Sequence, residues 1–145
     1  MFIDFAEQQD IDSWMDLLQM VKDNFPGLDM KEYRIALLDC ILNKQALIAK
    51  AEDVIVGALT FSKRTGELSF LAVHPLYRKI GIAKALIAKL VSQSPKGKRL
   101  SVITYRQGEE QGIAARKLYQ SIGFQCGELL TVFDYPCQEL YYITK

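Results

Sequence analysis

The ten residues HPLYRKIGIA, numbered 74–83, join an apolar run typical of a buried strand to a run with helical spacing. Pro75 cannot donate a ladder hydrogen bond, so the strand is expected to end near His74. Arg78 and Lys79 bring positive charge to the start of the helix, where the macrodipole already contributes about half a positive charge. This arrangement suits a turn that binds an anion, because the first N–H groups of a helix have no partners within it. We therefore predict a diphosphate site at this turn, where Gly81 lets a ligand approach the backbone closely.

Outward from this turn, the chain predicts a single α/β domain over residues 1–145. Upstream, the segments Ala46–Lys50, Val54–Ser62 and Glu67–Val73 predict an antiparallel meander of three strands. Downstream, a helix over Ile80–Ser92, with Ile80 on its buried face, is followed by a strand over Leu100–Tyr105. The remaining predicted elements are strands Phe2–Ala6, Glu128–Phe133 and Leu140–Thr144, a helix from Ile11 to Val21 capped by Asp10, and helices Met30–Asn43 and Gly112–Ile122.

The resulting order is β-α-α-β-β-β-α-β-α-β-β, which predicts a mixed, mostly antiparallel sheet with helices on both faces. Gly123 is expected to end its helix in a left-handed conformation, with Phe124 packing back on Leu118 or Tyr119. A turn at Asp134-Tyr135-Pro136 is expected to separate the last two strands.

Composition excludes several classes of protein. The net charge is +1 and half of the residues are hydrophobic, so we expect neither a broad nucleic-acid surface nor a membrane surface. No apolar run approaches the ~18 residues that a membrane span needs. The N-terminal residues MFIDFAEQQD lack the features of a signal peptide, so a cytoplasmic location is expected.

The sequence offers few metal ligands. His74 is the only histidine, and the three cysteines are far apart without a C-x-x-C pair. No metal site is therefore expected. We expect Cys40, Cys126 and Cys137 to be buried or half-buried structural thiols.

The spacing around Gly81 identifies a known pattern. Neither G-x-G-x-x-G nor the Walker pattern is present, whereas Arg78 to Ala83 read R-x-x-G-x-A within the longer run L-A-V-H-P-x-Y-R-x-x-G-I-A-x-x-L. This run resembles the acetyl-CoA loop of the GNAT N-acetyltransferase superfamily. Residues Ala115 to Phe124 resemble a second family segment, A-x-x-L-Y-x-x-x-G-F. Together with the order of elements, the resemblance covers essentially the whole chain.

The resemblance implies the GNAT fold and a transfer of the acetyl group from acetyl-CoA to a primary amine. The amine would attack the thioester directly while both substrates are bound, and no metal would be required. Acetyl-CoA is then a cosubstrate, and the protein would be a monomer or a homodimer. The amine itself, whether a small molecule, a peptide N-terminus or a lysine, is left open.

The resemblance also assigns residues to acetyl-CoA. Backbone groups of Leu71, Ala72 and Val73 would pair with the pantetheine arm, and a strand N–H would polarise the thioester carbonyl. The residues whose backbone would hold the diphosphate are Lys79, Ile80, Gly81, Ile82 and Ala83. Arg78 either contacts a phosphate or orders the loop. Lys79 and Lys84 either contact the adenosine 3′-phosphate or are solvated lysines.

Two residues are candidates for proton transfer. Tyr119 matches the family tyrosine near the sulfur of CoA, and a phenol with a pKa of about 10 can protonate a departing thiolate; alternatively it packs in the core. Glu67 begins the motif E-x-x-F-x-A-V, which resembles the histone-acetylating branch, where this glutamate is the base. It could equally be an exposed carboxylate after a turn. His74 is a weaker candidate, because this position usually faces solvent.

The sequence gives fewer indications about the residues that bind the acceptor amine. Asp29 and Glu32 could attract a cationic amine, or they could be carboxylates favoured by a helix N-terminus. Gly112 stands where many family members have Asn, so one contact to pantetheine is missing. The residues expected on the opposite side of the acceptor site are Tyr105, Tyr135, Tyr141 and Tyr142.

Two other classes of function remain open from the sequence. One is a non-catalytic module that binds CoA or acyl-CoA and regulates a partner, which hydrolysis of acetyl-CoA stimulated by an amine would exclude. The other is a nucleotide-binding interaction domain, for which ATP would stabilise the protein better than CoA.

Overall fold

The computed structural model describes residues 1–145, and its elements follow the predicted order. The strands are β1 Phe2–Phe5, β2 Ala46–Ala51, β3 Val54–Phe61, β4 Glu67–Val73, β5 Arg99–Tyr105, β6 Gln125–Val132 and β7 Tyr135–Ile143. The helices are α1 Ile11–Val21, α2 Met30–Leu42, α3 Ile82–Gln93 and α4 Ile113–Ile122. None of these helices has the length and apolar character needed to cross a membrane.

All seven strands belong to one sheet in the order β1-β2-β3-β4-β5-β7-β6. Strands β1 and β2, β2 and β3, β5 and β7, and β6 and β7 pair antiparallel. Strand β4 pairs parallel with β5, through Glu67 with Ser101 and Leu68 with Val102. The sheet is therefore mixed and mostly antiparallel, as the sequence predicts.

The chain forms two compact units. The first comprises Met1–Ser62 and Ser69–Gln93, and the second comprises Lys63–Leu68 and Ser94–Lys145. Helices α1, α2 and α3 belong to the first unit, and α4 belongs to the second.

In the first unit, consecutive residues of β3 face helices on opposite sides of the sheet. A Cβ built on Gly57 would lie 2.6 Å from the Ile82 side chain of α3, so only glycine allows this close approach. The next residue, Ala58, belongs to a buried cluster with Trp14 of α1 and Leu37 of α2. Helices therefore cover both faces in this unit, as predicted.

In the second unit, α4 ends as the sequence predicts. Gly123 has φ of 121°, and the backbone N–H of Phe124 donates to the carbonyl oxygen of Tyr119 at 3.0 Å. The Phe124 ring lies 5.3 Å from the ring of Tyr119. Phe124 therefore packs back on Tyr119, one of its two predicted partners.

The predicted start of α3 at Ile80 is wrong. The helix begins at Ile82, because Lys79 and Gly81 have φ of 66° and 87°, which no right-handed helix can contain. Ile80 is consequently 64% exposed instead of buried.

The predicted turn at Asp134-Tyr135-Pro136 is also displaced. The two-residue turn is Phe133-Asp134, with φ of 48° and 63°, and β6 and β7 flank it directly. Positive φ at both central residues is the signature of a type I′ hairpin. Pro136 is accommodated within β7 because the pairing of β7 with β5 begins only at Cys137, so no hydrogen bond to β5 is lost.

Two local predictions need correction. The Asp10 side chain does not cap α1; it accepts a hydrogen bond from the backbone N–H of Glu7 at 2.8 Å and pairs with Lys50 at 2.7 Å. Cys126 is exposed instead of buried, whereas Cys40 and Cys137 are half-buried; all three thiols are free.

Candidate active site

The turn after β4 has a backbone shaped to present N–H groups. Pro75–Tyr77 form a single 3-10 turn, and Arg78 is extended with ψ of 158°. Lys79 and Gly81 then adopt left-handed conformations on either side of Ile80, which does not. An alternation of hand along the backbone directs successive N–H groups to one concave side, which is how proteins build anion-binding nests.

The donors on this turn are unpaired. The first residue that donates back along the helix is Ala85, whose N–H bonds the Gly81 carbonyl oxygen at 2.9 Å. None of the backbone N–H groups from Lys79 to Lys84 donates to another group of the protein. A Cβ at Gly81 would meet no atom within 4 Å, so steric crowding does not require glycine here. Glycine is favoured because the backbone has a positive φ at this position. Six consecutive donors are thus available to an anion.

The surrounding charge is positive. Arg78, Lys79 and Lys84 are exposed, and none of them forms an ion pair with a carboxylate. The sequence has no acidic residue between Glu67 and Glu109, a feature that the overall charge of +1 conceals. The predicted diphosphate site therefore combines unpaired backbone donors with unpaired cations.

Strand β4 leads into this turn. The side-chain oxygens of Thr60 and Ser69 lie 2.8 Å apart, and the N–H of His74 donates to the Val56 carbonyl oxygen at 2.8 Å. Strands β3 and β4 therefore run antiparallel, as the predicted meander requires. Residues 71–73 follow the two residues of β4 that pair with β5.

His74 supports the turn. Its Nδ1 accepts a hydrogen bond from the backbone N–H of Leu76 at 3.1 Å, and its ring meets the ring of Tyr77 edge to face, with centroids 5.2 Å apart. One imidazole nitrogen is therefore occupied in holding the start of the turn. This geometry favours a structural role for His74 over the role of a base.

Tyr119 combines a buried ring with an available hydroxyl. The residue is 5% exposed and its hydroxyl oxygen makes no hydrogen bond. No buried polar side-chain atom of the protein lacks a partner, so the hydroxyl must be the part that reaches solvent. Burial raises the pKa of Tyr119 to about 12. The phenol therefore keeps its proton at neutral pH and can donate it.

Glu67 carries a carboxylate that is not engaged by the protein. It is the first residue of β4 and is half-buried. Its backbone N–H donates to the Thr65 hydroxyl at 3.2 Å, while its carboxylate takes part in no hydrogen bond or ion pair. Both Glu67 and Tyr119 belong to the second unit, whereas the turn belongs to the first.

Gly112 has a steric explanation that the sequence could not give. A Cβ at this position would lie 2.5 Å from the Cβ of Tyr105, so Asn does not fit without a shift of the backbone. The buried Arg116 holds the same region, because its Nη1 donates to the Tyr105 carbonyl oxygen at 3.0 Å and to Oε1 of Gln138 at 2.9 Å. The sequence gives no signal for this role of Arg116, which only the partners of its guanidinium reveal.

The residues expected to line the acceptor site separate into two groups. The Asp29 carboxylate accepts the N–H groups of Lys31 and Glu32, at 2.9 Å and 3.1 Å, so it serves as the cap of α2. Tyr141 lies under the Arg99 guanidinium, and Tyr142 stacks on Phe124. Tyr105 and Tyr135, in contrast, lie side by side with exposed rings.

Comparisons with known proteins agree with this architecture. Among curated proteins no match is found. Three solved structures are similar over nearly the whole chain. A GNAT family acetyltransferase from Bacillus cereus has 21% identity and a TM-score of 0.79, over 99% of this chain and 97% of that one. An aminoglycoside 6′-N-acetyltransferase complexed with coenzyme A has 18% identity and a TM-score of 0.77, over 100% and 98%. Naa50 from Arabidopsis thaliana, in complex with the bisubstrate analogue CoA-Ac-MVNAL, has 19% identity and a TM-score of 0.71, over 97% of both chains.

These identities are low, so the three structures establish a common fold. The family is established by the sequence itself. The model of the acetyltransferase (GNAT) family matches residues 14–124, which is more than half of the chain. This protein therefore belongs to the GNAT family of acetyltransferases.

Proposed function

We propose that this protein transfers the acetyl group of acetyl-CoA to a primary amine, by direct attack of the amine while both substrates are bound. The observation that carries the proposal is the row of unpaired N–H groups from Lys79 to Lys84, on a turn with two left-handed residues. Such a row fits the diphosphate of CoA, because it supplies several donors at the positive end of a helix dipole.

The cations near the turn support the same ligand. Arg78 follows the 3-10 turn and is exposed without a carboxylate partner, so its guanidinium is free to contact a phosphate. Lys84 lies in the first turn of α3 and is equally free. Together with Lys79 these side chains can pair with the diphosphate and the 3′-phosphate of the adenosine.

The pantetheine arm is proposed to extend along β4. Residues Leu71, Ala72 and Val73 lie beyond the part of β4 that pairs with β5. Backbone groups on an unpaired strand edge bind an extended chain in the manner of an added strand. An N–H of this edge would also hold the oxygen of the thioester as negative charge develops on it.

The chemistry requires three proton movements. An alkyl ammonium must lose a proton before its nitrogen can attack, and the unengaged Glu67 carboxylate is proposed to accept it directly or through water. The neutral amine then forms the C–N bond and the C–S bond breaks. The bonded nitrogen loses its second proton as the amide forms, and this proton, through solvent, replaces the one that Tyr119 gives up. Tyr119 is proposed to protonate the departing thiolate, because a phenol with a pKa of about 12 still carries its proton at neutral pH.

The ligands of similar structures support acetyl-CoA as the donor. One was solved with coenzyme A and another with a conjugate of CoA, an acetyl group and a peptide. Their acceptors differ, an aminoglycoside in one case and a peptide in the other. The fold therefore accommodates different amines, so the acceptor of this protein has to be inferred from its own side chains.

The proposal is tested by incubating the protein with acetyl-CoA and a panel of primary amines, with mass spectrometry to detect the acetylated products. We expect acetylation of at least one amine, and a slower rate for Glu67→Gln at neutral pH. Acetyl-CoA binding without transfer to any amine, and without hydrolysis, would contradict the enzyme and favour a regulatory module that binds CoA.

A further inference from the structure

The second unit presents two tyrosine rings at right angles to each other. The ring centroids of Tyr105 and Tyr135 are 5.7 Å apart and the planes are inclined by 87°. Both residues remain well exposed, at 38% and 41%. An aromatic pair that served only the core would be buried, so this pair leaves ring surface available to a ligand.

The pair is held in place by the surrounding backbone. The Cα of Gly112 abuts the Cβ of Tyr105, and Arg116 bonds the carbonyl oxygen of the same residue. Tyr135 directly follows the two-residue hairpin turn and pairs with Val132. The two rings are therefore presented by anchored strand ends and not by a mobile loop.

The electrostatic surroundings of the pair favour a cation. Desolvation, and then the negative charge of Glu109, raise the pKa of Tyr135 above its ordinary value. The nearest basic residue in the sequence, Arg106, is committed elsewhere, because its Nε donates to the Cys137 carbonyl oxygen and its Nη2 to that of Leu130, both at 3.1 Å. Arg116 is likewise held by the Tyr105 carbonyl oxygen and Gln138. Glu109 lies close to the pair in the backbone as well, because its carbonyl oxygen accepts the N–H of Gly112 at 3.1 Å and Gly112 abuts Tyr105. The Glu109 carboxylate itself forms no ion pair.

Another tyrosine of the same unit, Tyr141, already has a cation of the protein over its ring. The Arg99 guanidinium lies 4.6 Å from the ring centroid of Tyr141, within the range of a cation–π contact. No Lys or Arg lies over the ring of Tyr105 or Tyr135. Both rings of the pair are therefore still available to an external cation.

We propose that Tyr105, Tyr135 and Glu109 form a cation site for an alkylammonium group of the acceptor. The inference rests on the proposed function and deepens it. The reacting nitrogen must be neutral, so the group in the cation site is a second nitrogen that stays charged. The acceptor is then an amine with another ammonium group at a distance, as in a polyamine or in a peptide whose lysine lies near its N-terminus.

The length of α4 suggests the spacing. Gly112 touches Tyr105 and Tyr119 lies seven residues further along the chain, a rise of about 10 Å at 1.5 Å per residue. If the reacting nitrogen lies near the Tyr119 hydroxyl, the second charge must be separated from it by a long alkyl chain. Spermidine satisfies this requirement, whereas butylamine has no second charge.

The test compares spermidine with butylamine as acceptors. Calorimetry measures the binding of spermidine and gives a readout that is independent of turnover. We expect the wild type to prefer spermidine in kcat/KM. Tyr135→Ala should raise the KM and Kd for spermidine about 2- to 5-fold, and Glu109→Gln by a similar factor, since single cation–π and surface ion-pair contacts are modest. Tyr135→Phe, which keeps a ring face, should restore most of the affinity.

Phe133→Ala is the matched control, because Phe133 is a 99% exposed aromatic residue beside Tyr135 that is not part of the cation site. Equal kcat/KM for the two amines, with no effect of Tyr135→Ala on spermidine binding, would overturn the inference while the acetyltransferase stands. Acetylation of no amine of the panel and no hydrolysis of acetyl-CoA, with spermidine binding that still depends on Tyr135, would leave the cation site and overturn the proposed function. A lysine-containing peptide that outperforms spermidine would identify the peptide as the source of the ammonium group.

Discussion

The left-handed conformation of Lys79 is an unusual feature at the scale of single residues. A side chain at φ of 66° costs roughly 1 kcal/mol or more, and glycine would remove this strain. The strain occurs at the first residue of the row of unpaired N–H groups, two residues before Gly81. This coincidence favours a turn shaped for its ligand over a turn shaped for stability.

Gly81 and Gly97 offer a direct test of that view. Their φ values are 87° and 80°, and a Cβ at either position would meet no atom within 4 Å. Ala at each position should therefore cost a similar amount of stability, about 1–2 kcal/mol. We expect only Gly81→Ala to weaken acetyl-CoA binding as well, because its new methyl group stands where the diphosphate approaches. Equal affinities of the two variants, measured by calorimetry, would separate Gly81 from the ligand.

Tyr119→Phe tests the proposed acid. Removing the hydroxyl should lower kcat by about 10²-fold or more, with little change in the KM for acetyl-CoA, because the lost group acts on the leaving thiolate. The pKa of about 12 means that Tyr119 stays protonated through the usual assay range, so it should cause no loss of rate below about pH 10. A Phe variant with wild-type kcat across this range would exclude the acid role.

The sequence predicts single residues well where their role depends on neighbours along the chain. The pair Gly123-Phe124 is of this kind, since the geometry of a helix cap is local. Gly112 is not, because its constraint comes from Tyr105 on another element. The same applies to Asp10, which any capping rule would place at α1 but which pairs with Lys50 of β2 instead.

At the scale of elements, the closing hairpin shows what local signals miss. Asp134-Tyr135-Pro136 has the composition of a turn, yet Tyr135 and Pro136 belong to β7. The positive φ values fall on Phe133 and Asp134, and phenylalanine gives no signal for that conformation. The predicted start of α3 is wrong for a similar reason. Lys79 and Gly81 have positive φ, so the helix begins only at Ile82, and a lysine gives no signal for that conformation.

The hairpin turn is therefore a site where stability can be gained. Phe133→Asn together with Asp134→Gly supplies the residues that a type I′ turn prefers. Relief of strain at two positions should raise the free energy of unfolding by about 1 kcal/mol, and the Tm by a few degrees for a domain of this size. Phe133 is 99% exposed, so no core packing is lost. A lower Tm in thermal unfolding would contradict the turn geometry.

At the scale of the whole molecule, two observations converge on acetyl-CoA. The family model matches residues 14–124, and the fold is similar to that of acetyltransferases solved with CoA or a CoA conjugate. The low net charge of +1 conceals a long segment without carboxylates that contains the turn. The chain as a whole is therefore nearly neutral, while the turn proposed to bind acetyl-CoA is locally cationic.

Thermal unfolding with and without millimolar acetyl-CoA tests the central claim most directly, with ATP and NAD as control nucleotides. At 100 times its Kd, acetyl-CoA should add about 2.7 kcal/mol of stability, which raises the Tm by several degrees. We expect a shift that is larger for acetyl-CoA than for ATP or NAD, mostly lost in Arg78→Glu and retained in Lys96→Glu, an equal charge change at an exposed lysine that follows the C-terminal end of α3. No shift with acetyl-CoA, or the same shift in both variants, would contradict the assignment of the turn after β4 as the acetyl-CoA site.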